Sequence, residues 1–113
     1  MTSVHLLRRA TAELVGTAFL LIAVVGSGIA AQRLSTGDRG LALLENAVAT
    51  GAALMAIILA VGPVSGAHLN PLVTLIDSAF AGLRWREVPV YIVAQVSGAI
   101  VGVIVANLMF SLE

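Results

Sequence analysis

Residues 62–81 read Gly-Pro-Val-Ser-Gly-Ala-His-Leu-Asn-Pro-Leu-Val-Thr-Leu-Ile-Asp-Ser-Ala-Phe-Ala. Gly62-Pro63 is expected to end a helix, because proline lacks an N–H and disfavours helix in the residue before it. Asn70-Pro71 is expected to start one, since asparagine caps and proline suits the first helical position. The apolar stretch from Pro71 to Ala81 then gives about 16 Å of helix, half a bilayer core. An irregular glycine-containing loop leading into a half-length helix is the pattern of a re-entrant segment. Such backbone survives at membrane depth only inside protein or along a water-filled cavity. The helix N-terminus would aim free N–H groups and a partial positive charge toward the middle of the membrane. That opposes cations and protons and leaves carbonyls and an amide to bind neutral polar solutes. A short amphipathic interfacial helix or a cytoplasmic loop fits the same residues, and periodicity alone does not separate the three.

The surroundings favour a membrane. Of the 113 residues, 59% are hydrophobic and 11% charged, against roughly a quarter charged in soluble domains, and the mean hydropathy is +1.05. This excludes a disordered chain, a nucleic-acid partner and most soluble enzymes. Net charge is zero and there is no cysteine, which removes disulfides, thiolate metal sites and a cysteine nucleophile. The charges leave uncharged runs at 14–32, 46–76 and 88–112, of 19, 31 and 25 residues. A span needs about 20 residues, so the outer runs suit one helix each. The middle run is too long for one, and divides into a span near 41–61 and the segment quoted above. The first run follows Arg8-Arg9 but exceeds a usual signal h-region and shows no clear cleavage site, so it reads as a retained span. Spans near 12–32, 41–61 and 88–110 put Arg8, Arg9, Arg84 and Arg86 on one side and Arg33 and Arg39 on the other. Four against two favours a cytoplasmic N-terminus.

Small residues mark how the spans pack. Ala94, Gly98, Gly102 and Ala106 recur every four residues on the third span, and Ala52, Ala56 and Ala60 on the second. In lipid such stripes allow close backbone contact. The Gly98–Gly102 pair serves either dimerisation or packing within one subunit. No acid–base pair, nucleophile set or metal cluster is visible, so an enzyme, a catalytic residue, a metal and a cofactor are not expected.

Ser65-Gly66-Ala67-His68-Leu69-Asn70-Pro71, followed by Val73-Thr74, resembles the first Asn-Pro-Ala box of the aquaporin and aquaglyceroporin (major intrinsic protein) family. Glu13-Leu14-Val15-Gly16-Thr17 resembles the first-helix Glu-x-x-Gly-Thr of that family, and Gly26-Ser27-Gly28 matches the end of that helix. Tyr91 to Gly102, with Gln95, resembles its third helix. The likeness covers about residues 12–110, and its flavour is that of the bacterial branch found beside arsenic-resistance genes. It implies an all-α membrane protein: one aquaporin-like repeat over 1–113, with three spans and one re-entrant half-helix. In the family two inverted repeats meet through their Asn-Pro boxes at mid-membrane.

On that template the side-chain amide of Asn70 donates to a permeating water or polyol hydroxyl, and the carbonyls of Gly66, Ala67 and His68 form a ladder leading to it. Pro71 and Leu72 complete the box. Glu13 accepts hydrogen bonds from the loop, Gln95 braces it, and Thr50 stands at the second-helix position of the selectivity constriction. Plainer roles exist for each. Glu13 can lie near the interface beside Arg8 and Arg9. The His68 side chain can satisfy loop backbone, Gln95 can be a generic interhelical bond, and Thr50 can face lipid. Asp77 has no counterpart in the pattern.

Two departures stand out. Leu72 replaces the alanine of the box, which shifts packing or selectivity. The 113 residues hold one repeat, without the second box or the constriction arginine of the second half. One repeat cannot enclose a single-file pore, so a second repeat or a second copy is needed as partner, besides membrane lipid. The expectation is a passive channel, or half of one, in the cell (inner) membrane. Its solutes would be water, glycerol or undissociated arsenite, and a homo-oligomer is a further expectation. A truncated non-conducting fragment or an assembly partner of a full-length channel is the alternative. A proton-coupled exporter of the small multidrug-resistance type, built around Glu13, is a rival. It would need four spans and membrane-embedded aromatics for cation–π contact.

Overall fold

The computed structural model describes residues 3–111; the outermost positions of the expected 1–113 unit lie outside the described residues. Four α-helices follow in order: α1 (Ser3–Leu34), α2 (Arg39–Ser65), the short α3 (Pro71–Ala79) and α4 (Val88–Met109), the last preceded by a 3-10 turn at Trp85–Glu87. Three of the helices are long and apolar enough to cross a membrane. At 1.5 Å per residue the nine residues of α3 reach only about 13 Å.

Two boundaries differ from the sequence reading, each for a local reason. First, α2 runs through Gly62-Pro63 and ends at Ser65. Proline there removes one bond, to the carbonyl four residues back, and only Val64 and Ser65 of the helix follow it. The helix stops instead at Gly66, whose φ of +91° makes the left-handed cap and whose N–H donates to Gly62 O at 2.8 Å. Second, α3 ends at Ala79, before Ala81. Ala81 takes a φ of +65°, and the turn is closed by Asp77, whose Oδ2 accepts the Leu83 N–H at 2.8 Å. The Ser78 hydroxyl donates to the Leu83 carbonyl in the same turn.

The central helix is α1, packed along both α2 and α4, while α3 lies against α4. Glycines let the backbones approach. A Cβ on Gly98 would strike the carbonyl oxygen of Leu14, and one on Gly102 that of Ala18. Both glycines therefore face α1 of the same chain. On α1 itself, a Cβ on Gly16 would sit 2.8 Å from the Leu69 side chain, so this position admits the loop before α3. Polar latches close the two ends of the α1–α4 pair. Arg9 Nη2 contacts Glu87 Oε2 at 2.6 Å at one end. Arg33 Nη2 donates to Phe110 O at 3.0 Å at the other. Large apolar side chains, among them Leu43, Leu44, Val48, Met55 and Leu59 of α2, remain exposed on the outside, as lipid-facing positions do.

The glycine contacts make a paired prediction. Gly98→Ala should cost about 1–3 kcal/mol by forcing α4 off α1. Gly51→Ala, whose Cβ meets nothing within 4 Å, should change stability by no more than about 0.5–1 kcal/mol, in the stabilising direction. Unfolding in detergent followed by circular dichroism reads both. Equal shifts would contradict the close approach.

Candidate functional site

The site is built around one carboxylate. Glu13, in the middle turns of α1, is 0% exposed. Its Oε2 accepts from the Ser65 hydroxyl at 2.6 Å and from the His68 N–H at 3.1 Å. Its Oε1 accepts from the Leu69 N–H at 2.8 Å and from Gln95 Nε2 at 2.9 Å. All four neighbours donate, the environment of an acceptor-only carboxylate. A carboxylate at this depth is expensive without such partners, and here it ties α1 to α2, α4 and the loop at once.

Four successive backbone donors of the loop, Gly66 to Leu69, can be accounted for. Gly66 N–H goes to Gly62 O, Ala67 N–H to Ser65 Oγ at 3.2 Å, and the His68 and Leu69 N–H groups to Glu13. With successive donors drawn inward, the carbonyls of Gly66, Ala67 and His68 take no part in this network. Backbone at Ala67 (φ +51°) and Leu69 (φ +59°) turns left-handed to achieve it, a conformation that costs about 1 kcal/mol or more per non-glycine residue and persists because the carboxylate holds both amides.

Asn70 then caps α3. Its Oδ1 accepts the Leu72 N–H at 2.8 Å. An N–H can only donate, so the cap fixes the amide with Nδ2 turned away from the helix. Pro71 at the first helical position has no donor to leave unpaired. Leu72 projects outward, 62% exposed.

A second row of side chains supports the first. Gln95 Nε2 donates also to Thr74 Oγ1 at 2.8 Å, and Thr74 Oγ1 lies 2.9 Å from His68 Nδ1. The other ring nitrogen, Nε2, lies 3.5 Å from Asp77 Oδ2. The ring also rests against Tyr91, centroids 5.1 Å apart, and the Tyr91 hydroxyl donates to the last α2 carbonyl, Ser65 O, at 2.8 Å. The His68 side chain thus serves α3 and not the loop backbone. Asp77, which sequence left without a role, closes the turn after α3 and meets His68.

Two open cavities flank the loop. One, of about 380 Å³, lies toward the Arg9–Glu87 end and is lined by Arg9, Ser65, Gly66, His68, Asp77 and Tyr91 among others. The other, of about 210 Å³, is lined by Thr17, Leu69, Asn70, Pro71, Gln95 and Ala99 among others, at the middle of α1 and α4. The loop 65–71 is the divide between them. Thr50 stands apart: half-buried on α2, it donates to Asn46 Oδ1 at 3.0 Å, which also accepts from Ser27 of α1 at 3.2 Å.

Sequence reading assigned no role to Ser65, Thr74 or Tyr91. A signal for one of them was present: Asn70, Thr74 and Ser78 recur every four residues, a polar row on an otherwise apolar half-helix. Ser65 and Tyr91 act through contacts that no local pattern announces.

Replacing Glu13 by glutamine keeps the shape and turns one acceptor into a donor facing donors. Hydrogen bonds to charged groups contribute about 1.5–3 kcal/mol each. Amide hydrogen exchange at His68 and Leu69 should therefore rise at least tenfold in Glu13→Gln, with the middle of α4 unchanged. Unaltered exchange at both amides would contradict the assignment of Glu13 as the loop's anchor.

Comparison with known proteins gives a family to this geometry. The family model for the major intrinsic protein matches residues 1–112. The aquaglyceroporin AqpS of Rhizobium meliloti (strain 1021) is 48% identical over 112 residues, covering 99% of this chain and 48% of that protein. The probable aquaporin NIP7-1 of Arabidopsis thaliana is 45% identical over 93 residues, 82% of this chain and 33% of its own length. Aquaporin Lacbi1:233199 of Laccaria bicolor (strain S238N-H82 / ATCC MYA-4686) is 38% identical over 112 residues, 96% of this chain and 41% of that one. The chain thus spans half or less of the length of these relatives, consistent with an N-terminal half. The three apolar helices, the capped half-helix and these matches agree: this is a multi-pass membrane chain that belongs to the major intrinsic protein family.

Proposed function

We propose that this chain supplies one half of the lining of a passive membrane pore for water and small uncharged solutes, in the way its relatives' names indicate for them. The observation that carries the reading is the polarity of the loop. Its N–H groups are drawn inward to Glu13 and Ser65, which leaves the carbonyls of Gly66, Ala67 and His68 and the Nδ2 of Asn70 for a solute. A hydroxyl passing along them meets acceptors first and a donor at mid-depth. The capped end of α3 adds a partial positive charge at that donor, which disfavours cations and protons but not a neutral molecule. Glycerol and undissociated arsenite, both neutral and rich in hydroxyls, suit such a path. The exporter reading needs Glu13 open to protons and drug; all four of its partners here are structural. Closure of the path falls to a second repeat or a second copy, and the arginine distribution supports a cytoplasmic N-terminus in the cell membrane.

A chimera tests this directly. Residues 1–112 would replace the matching 112 residues of the aquaglyceroporin AqpS, and the product would be reconstituted in liposomes. Shrinkage in a sucrose gradient and re-swelling in glycerol, followed by stopped-flow light scattering, should exceed protein-free rates at least tenfold. Asn70→Asp, which keeps an acceptor for the cap but removes the donor, should return both to the lipid rate. A chimera that inserts yet conducts nothing contradicts the reading.

Thr50 offers a test of selectivity. Where Thr50 lines the constriction, Thr50→Trp in the same chimera should cut glycerol flux several times more than water flux. Equal effects would remove Thr50 from the path and leave it as an α1–α2 packing residue.

A further inference from the structure

Asn46 stands on α2 about 10 Å beyond Arg39, at 1.5 Å per residue. A carboxamide within a span seeks partners on its own and neighbouring helices, and this one has two. Asn46 Oδ1 accepts from the Thr50 hydroxyl at 3.0 Å and from the Ser27 hydroxyl of α1 at 3.2 Å. A Cβ on Gly28 would lie 3.0 Å from Asn46 Nδ2, so the glycine lets the amide rest across the α1–α2 seam. Thr50 differs here from two other threonines of the chain. Thr11 and Thr36 each donate to the backbone carbonyl four residues back, at 2.8 and 3.1 Å, a common bond for a helical threonine. Thr50 gives its proton to a side chain instead.

We propose that Asn46 is the positioning residue for Thr50, and so sets the hydrogen-bonding character that Thr50 shows to a solute. A hydroxyl has one proton and two lone pairs. With the proton given to Asn46, Thr50 Oγ1 has only lone pairs to offer, and a passing molecule must bring an O–H or N–H to it. A threonine in a helix divides between two χ1 wells, because its hydroxyl can reach backbone carbonyls. An acceptor fixed outside the backbone selects one well. Ser27 is less committed, since its hydroxyl also lies 3.3 Å from the Val24 carbonyl; Thr50 is the partner that depends on Asn46. The inference rests on the reading of Thr50 as a lining residue and names what that residue recognises. It favours solutes that donate, polyols ahead of carbonyl compounds that carry no O–H or N–H.

Two readouts test it, and the first needs no flux. Magic-angle-spinning NMR of the 113-residue chain in lipid bilayers reads the order of the Thr50 Cβ–Cγ2 axis. That order should match the rigid backbone in the wild type and in Ser27→Ala, and fall in Asn46→Leu as the second χ1 well fills. Unchanged order in Asn46→Leu overturns the proposal. In the AqpS chimera, Thr50→Val and Asn46→Leu should each lower the ratio of glycerol to water flux by about threefold or more, the scale of one neutral hydrogen bond. The double variant should fall no further than Thr50→Val alone, because both remove the same interaction. Asn46→Asp, which keeps the acceptor, and Ser27→Ala should leave the ratio unchanged. Additive effects, or a loss in either of these two equal to that in Asn46→Leu, make the cluster a structural clasp and overturn the proposal. A changed ratio in Thr50→Val with none in Asn46→Leu overturns it too. An unchanged ratio in Thr50→Val, or no flux at all, is a different failure: it strikes the reading of the path, and this inference with it.

Discussion

Four hydrogen bonds converge on the carboxylate of Glu13, from Ser65, His68, Leu69 and Gln95, and the rest of the structure depends on them. A loop of irregular backbone has no business in an apolar medium unless every donor finds an acceptor inside the protein. One carboxyl group with two oxygens answers two loop amides, one hydroxyl and one carboxamide. Gly16, one turn further along α1, gives the Leu69 side chain room to lie close, so position and chemistry come from neighbouring turns of the same helix.

What this anchoring produces is asymmetry. The donors of Ala67, His68 and Leu69 turn to Ser65 and Glu13. Left-handed backbone at Gly66, Ala67 and Leu69 is the conformational cost of bringing these amides to their acceptors. Asn70 extends the same logic into a side chain: its acceptor is consumed by the Leu72 amide, so only its donor is offered outward.

Much of this was legible in the residues, and the reasons differ from place to place. Asn70-Pro71 announced a helix start because capping is local chemistry, fixed by two adjacent residues. The three spans could be read from where the charges do not fall. Gly62-Pro63 misled, since a proline near a helix end removes one bond and the true stop required Gly66 to adopt positive φ. Asp77 was opaque: its partners, the Leu83 amide and His68 Nε2, become neighbours only once the turn at Ala81 is made. Arg9 and Glu87 lie 78 positions apart, a separation across which no periodicity carries information. Thr50 was placed by its distance in sequence from Asn70, whereas its hydroxyl is engaged between α1 and α2.

The central claim is that Glu13 physically holds the loop amides. Rotational-echo double-resonance NMR on bilayer-embedded chain, with 13C at the Glu13 side-chain carboxyl and 15N at the His68 and Leu69 amides, measures it most directly. Oxygen-to-nitrogen contacts of 3.1 and 2.8 Å predict strong dephasing from both amides. Absence of dephasing from both would mean that the loop is held by something else, and the account built on Glu13 would fall with it.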